Sequence, residues 1–176
     1  MSLPNFITLG RIILVPLVIA MIVARNWQWA FALFVIAGVS DAVDGFIAKR
    51  FNMTTELGAF IDPLADKALL VSLYVSLAVV DVLPAWLAIL VVFRDVIILG
   101  AVIVAWIMDR PLEIRPLKVS KLNTVAQIAF AACVLGTRAF QLPQGPLIDG
   151  GVLVVAALTL ASGAAYFAVW TRHMAE

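Results

Sequence analysis

Residues 28–49 read QWAFALFVIAGVSDAVDGFIAK, an apolar run that is broken by Ser40, Asp41 and Asp44 before Lys49 and Arg50 close it. A membrane span requires roughly 20 mostly apolar residues, and this stretch has that length while carrying two acids inside it. The pattern recurs on both sides. Apolar runs between short polar or Pro/Gly breaks predict helices over 4–24, 28–49, 58–80, 84–108, 121–140 and 147–170, with 109–120 as one surface loop. Of 176 residues, 64% are hydrophobic and 13% charged, more apolar than a domain in water can present. The expected fold is all-α, a polytopic membrane protein of six transmembrane helices forming a single domain over 1–176.

Lys and Arg in short loops set orientation. Lys49, Arg50, Arg110, Arg115, Lys118 and Arg172 fall on one side of a six-span layout, and little beyond Arg25 and Arg138 falls on the other. Both termini are therefore expected to face the cytoplasm. Trp27, Trp29, Trp86, Trp106 and Trp170 lie near span ends, where interfacial aromatics collect. Cys133, in an apolar run, is the sole cysteine and excludes a disulfide framework within the chain. His173 reads as a solvated interfacial residue. Arg11 and the apolar run after it lack a small-x-small cleavage pattern, which argues against a signal peptide. No acidic tail, nucleic-acid stripe, repeat or linker is present, and the apolar fifth and sixth helices suit a homodimer contact.

Carboxylates inside a span cost several kcal/mol each and mark a functional site by default. Asp41 and Asp44 are spaced i,i+3, and Asp62 and Asp66 i,i+4, so each pair projects from one helix face. At about 1.5 Å per residue, both pairs lie roughly 8 to 14 Å inside the ends of their helices. The short connection makes the two helices antiparallel neighbours, so the four acids can converge near the cytoplasmic surface. Pro63 fits the first turn of a helix and could move the third helix's start inward. Four converging charges are relieved by protonation, by cations such as Lys49, Arg50 or Lys67, or by metal. All-oxygen ligands suit Mg²⁺, Mn²⁺ or Ca²⁺ and disfavour zinc. Gly45 and Gly58 lie where a missing side chain would admit a ligand to the backbone.

Arg11, Lys49, Arg50, Lys67, Arg115, Lys118 and Lys121 gather at the cytoplasmic helix ends. Carboxylates, metal and surplus basic side chains together describe a phosphate site. Arg94 stands apart, well within the fourth span, where an unpaired guanidinium would be costly. It either faces the acids or a bound anion, or forms a structural ion pair. A small cation or proton transporter using the same acids is the rival from another class.

Asp41-Ala42-Val43-Asp44-Gly45-Phe46-Ile47-Ala48-Lys49, then Gly58, Asp62 and Asp66 resemble the CDP-alcohol phosphatidyltransferase signature, D-x2-D-G-x2-A-R-x8-G-x3-D-x3-D; seven of its eight fixed positions match. Lys49 stands where the family has Arg, keeping the charge and losing the planar fork. The opening Leu3-Pro4-Asn5-Phe6-Ile7-Thr8-Leu9-Gly10-Arg11 resembles phosphatidylglycerophosphate synthases and eukaryotic-type cardiolipin synthases. Residues 64–70, Arg94-Asp95-Val96 and 119–127 lean towards the cardiolipin synthase branch.

The resemblance implies Asp41, Asp44, Asp62 and Asp66 as ligands of two divalent ions, Mg²⁺ or Mn²⁺, with Asp66 also the general base. It implies Gly45, Ala48, Lys49 and Gly58 along a CDP pocket, and Arg94, Lys118 and Lys121 are candidates for the acceptor's phosphate. The implied reaction moves a phosphatidyl group from CDP-diacylglycerol to an alcohol with release of CMP. The preferred acceptor is phosphatidylglycerol, giving cardiolipin; the alternative is glycerol-3-phosphate, giving phosphatidylglycerophosphate. Asp66→Asn is expected to abolish CMP release by purified protein given CDP-diacylglycerol and acceptor, and unchanged release would remove Asp66 from the role of base.

Overall fold

The computed structural model describes residues 3–51, 56–107, 117–143 and 145–175; within its helices, the side chains at 3–12, 41–42, 44–51, 56–66, 101–103, 105–106 and 172–175 lie outside the described residues. The described chain is six helices without a strand: α1 Leu3–Val23, α2 Trp27–Phe51, α3 Glu56–Val79, α4 Ala85–Ile107, α5 Lys118–Ala139 and α6 Gly145–Ala175. Two of them are long and apolar enough to cross a membrane by their described residues, α5 over Lys118–Ala139 and α6 over Gly145–Thr171.

Most boundaries fall within two residues of the sequence expectation, and three of the differences bear on particular residues. α3 starts at Glu56, so Pro63 lies inside it rather than at its first turn; one missing N–H costs the helix a single bond, which the surrounding turns tolerate. α5 starts at Lys118, after an extended Leu117, and so takes in three residues assigned to the surface loop. α6 runs to Ala175, past the expected end at 170.

The same turn closes all three described hairpins. Arg25, Asp81 and Gln141 adopt left-handed φ values of 55°, 59° and 54° after α1, α3 and α5. In each, the following N–H reaches a carbonyl five residues back: Asn26 to Met21, Val82 to Leu77 and Leu142 to Thr137, at 2.8 to 2.9 Å. The left-handed residue donates three residues back, to Ile22, Ala78 and Arg138. This is the Schellman closure, which satisfies helix-end carbonyls while turning the chain sharply. The turns follow alternate helices, so they share one end of the bundle.

The helices close a ring. α1 packs on α2 and α3, α3 on α4, α4 on α6, α6 on α5 and α5 on α2, with a smaller α3–α5 contact across the middle. Among the described residues α1 lies against both α2 and α3; the hairpin segment where those two helices are expected to meet has its side chains outside the described residues.

Val18, Ile22, Phe34, Leu73, Tyr74, Leu77, Val91, Val134, Leu135 and Val155 fill the ring's interior from all six helices. The outer faces are apolar too: Val79, Ile89, Ile107 and Leu153 are 66–70% exposed. Apolar surface of this extent marks a face meant for lipid or another protein rather than water. Gly151 sets the α5–α6 spacing, because a Cβ there would lie 2.3 Å from the Phe130 ring, and Phe130 is itself buried. Gly151→Val is expected to destabilise the bundle by about 2 kcal/mol through overpacking, read as a lower midpoint on SDS titration of detergent-solubilised protein. Adding Phe130→Ala should recover part of the loss.

Candidate active site

Asp41 and Asp44 occupy the second half of α2, with Gly45, Ala48 and Lys49 after them; Gly58, Asp62 and Asp66 occupy the first half of α3. The i,i+3 and i,i+4 spacings thus fall on continuous helix, as same-face projection requires. The side chains of these eight residues, and those of Arg11 and Arg50, lie outside the described residues, as does the whole of Arg115.

The described residues next to this acidic segment form a polar layer across four helices. Lys67, which follows Asp66 in α3, reaches Asp95 of α4 at 3.5 Å. The same Asp95 oxygen accepts from Arg94. Arg94 donates through Nε to Ser162 Oγ of α6 at 3.1 Å and through its second terminal nitrogen to the same oxygen at 2.6 Å and to Ser120 Oγ of α5. Tyr166 of α6 places its ring 5.8 Å from the guanidinium carbon.

Arg94 is 6% exposed, and a bare guanidinium there would carry a desolvation penalty of several kcal/mol. Its four hydrogen bonds and the aromatic face offset that penalty and tie α4 to α5 and α6. Of the expected alternatives for Arg94, the acids, a bound anion or a structural ion pair, the described contacts include the ion pair, and most of its donors have protein partners. Lys118 and Lys121 are exposed and flank Ser120 in the first turn of α5, so the Ser120 bond brings all three acceptor-phosphate candidates to one level. That level is also Lys67's, and therefore lies within a turn of Asp66's backbone position.

One to two turns deeper along α5 the polar seam continues. Thr159 donates to Asn123 Oδ1 at 3.0 Å, Gln127 Nε2 reaches Thr159 at 3.4 Å, and Tyr74 donates to the Gln127 backbone carbonyl at 3.1 Å. All four residues are nearly or fully buried, and Asn123 Nδ2 has no hydrogen-bond partner among the described residues. Sequence reasoning missed Ser120, Asn123, Gln127, Thr159 and Ser162 as interacting residues. Their signal was polarity inside apolar runs, which names candidates and does not pair them.

Residues 1–170 match the CDP-alcohol phosphatidyltransferase family, and the chain belongs to that family. It is 33% identical to a probable cardiolipin synthase (CMP-forming) of Drosophila melanogaster, over 98% of this chain and 58% of the relative. It is 30% identical to cardiolipin synthase (CMP-forming) of Homo sapiens, over 94% of this chain and 60% of the relative. Against a CDP-diacylglycerol–glycerol-3-phosphate 3-phosphatidyltransferase of Bacillus subtilis the identity is 35%, over 94% of this chain and 93% of the relative. The chain thus spans about three fifths of the fly and human proteins and nearly all of the bacterial one.

Ser162→Ala removes two of the four bonds on Arg94 and leaves buried donors unpaired. It is expected to cost about 1–3 kcal/mol by SDS titration, whereas Thr171→Ala, on an exposed turn of α6, should stay within about 0.5 kcal/mol of the parent.

Proposed function

We propose that this protein is a phospholipid-synthesising transferase that moves a phosphatidyl group from CDP-diacylglycerol to phosphatidylglycerol, releasing CMP and forming cardiolipin. The observation that carries the reading is the family match over residues 1–170, with seven of the eight signature positions on α2 and α3. The similarity to the fly and human cardiolipin synthases favours this acceptor. Coverage of nearly the whole Bacillus transferase favours glycerol-3-phosphate as the second reading.

All six helices cross the bilayer in this proposal, as a single domain over 1–176 with both termini cytoplasmic and a homodimer contact on α5 and α6. Three tight turns at one end and the basic residues gathered at the other support this orientation. The active site then lies near the cytoplasmic face, where a soluble nucleotide can leave while acyl chains stay in lipid.

Four carboxylates without Cys or His form a donor set that suits hard divalent ions, and Lys67, the cation beside Asp66, is engaged by Asp95. The donors therefore fit Mg²⁺ or Mn²⁺, two ions held by Asp41, Asp44, Asp62 and Asp66. When bound, such ions neutralise diphosphate charge and make CMP a better leaving group. Gly45, Ala48, Lys49 and Gly58 would line the nucleotide pocket. Lys118 and Lys121 would hold the acceptor's phosphate, with Arg94 at the same level contributing positive field. Asp66 takes the proton of the acceptor hydroxyl as its oxygen bonds to the lipid-side phosphorus and the bond from that phosphorus to the CMP oxygen breaks.

Purified protein given CDP-diacylglycerol is expected to form cardiolipin with phosphatidylglycerol, to leave glycerol-3-phosphate unused, and to lose CMP release on EDTA treatment. Use of glycerol-3-phosphate alone would shift the assignment to the second reading. Ion flux into proteoliposomes without CMP release would replace it with the transporter.

A further inference from the structure

The turned end of the bundle holds two cations that neither the transfer chemistry nor the orientation rule accounts for. Arg25 and Arg138 fall on the side of the six-span layout where basic residues are scarce. The fold brings their elements together. α2 packs on α5, Arg25 stands in the turn before α2, and Arg138 lies in the last turn of α5. Trp27 begins α2, and the Arg138 guanidinium carbon sits 5.6 Å from the centre of its ring, within cation–π range. One turn further along α2, Phe31 leaves 3.4 Å for a Cβ at Gly136 and meets the Phe140 ring edge-on at 5.7 Å. The joint that carries Arg138 and Trp27 is therefore closely packed.

The ordinary task of a cation in a helix's last turn is to satisfy the terminal carbonyls. At α5 they are already taken: the carbonyls of Gly136, Thr137 and Arg138 accept from the N–H groups of Phe140, Leu142 and Gln141. Arg138 Nε is buried and has no hydrogen-bond partner among the described residues. Its charge is unpaired as well. The acids of this end are Asp81, in the turn after α3, and Asp149, near the start of α6; both are exposed, and neither forms an ion pair with Arg138 among the described residues. Gln144, the one residue of the three turns outside the described residues, is neutral. A half-buried guanidinium with a donor left over is a site short of an anion.

The surroundings identify the anion. Trp29 and Trp86 are 61% and 50% exposed at the same end, and tryptophans so placed mark the headgroup level of a bilayer. Phe140 and Leu142, both exposed, put apolar surface beside Arg138 for acyl chains to cover. Arg25, exposed in the neighbouring turn, adds positive field, which favours a headgroup of net negative charge over one carrying its own cation.

We infer that Arg138, stacked on Trp27 and supported by Arg25, binds the phosphate of an anionic phospholipid at the turned end. This rests on the six-span reading and not on the identity of the acceptor. The lipid bridges the end of α5 to the start of α2, the helix whose far half carries Asp41 and Asp44, and takes no part in the transfer.

Native mass spectrometry of the detergent-purified chain, titrated with phosphatidylserine, tests this with a lipid that is neither the proposed donor nor the proposed acceptor. The parent is expected to bind phosphatidylserine more tightly than phosphatidylcholine. Arg138→Met, which keeps an apolar stem, should weaken phosphatidylserine binding about tenfold, as loss of a hydrogen bond to a charged group does. Arg25→Met should weaken it about fivefold, and Arg138→Lys should keep most of it. Parent-like binding by Arg138→Met or Arg25→Met overturns the inference, as does an Arg138→Lys defect as large as that of Arg138→Met. Equal binding of the two lipids by the parent overturns it too, and so does displacement of phosphatidylserine by inorganic phosphate, which would make the ligand a free anion. Should Arg138→Met fail to fold, Arg25→Met, on an exposed turn, still decides. A parent that binds neither lipid refutes the membrane reading itself, a result separate from binding that is indifferent to headgroup charge.

Discussion

Arg94 stands where three helices meet, and a guanidinium in that position is tolerable only when its donors are filled. Ser162, Ser120 and Asp95 fill them, and each comes from a definite rotation of its helix. The apolar core alone would leave α4, α5 and α6 free to slide against one another, because aliphatic contacts are nearly indifferent to small shifts and lipid offers helices little driving force to choose among them. Satisfying one buried charge removes that freedom. The layer level with Arg94 also holds Lys67, Lys118 and Lys121, so the cations beside the acidic segment owe their common depth to the same contact.

The acids stand out in the sequence because they interrupt the apolar background at helical spacing, and the six helices were legible from the runs between breaks. The depth of Arg94 was legible too. Its partners were not: Ser120 and Ser162 lie 26 and 68 residues away, and which serine meets which arginine depends on the ring order of the helices. The start of α5 was misplaced because Lys118 and Ser120 look like loop residues to a reading based on hydropathy, whereas Ser120 lies inside the helix bonded to Arg94.

A second seam follows the first. Tyr74, Gln127, Thr159 and Asn123 carry polar contacts from α3 to α5 and α6 deeper in the bundle. Gly151 lets α6 approach the Phe130 ring nearer the turned end. α5 and α6 are thereby matched at three depths, by charge near one end, by hydrogen bonds in the middle and by shape near the other. A slip of one helical turn would break all three together.

The three Schellman turns have a consequence for the end they share. Each reverses the chain within a few residues and spends helix-end carbonyls on its own backbone, so those groups need neither water nor ligand to satisfy them. The other end carries the ten-residue connection from α4 to α5 and most of the cations. A boundary poor in hydrogen-bond partners can therefore close over the turned end without leaving those carbonyls bare.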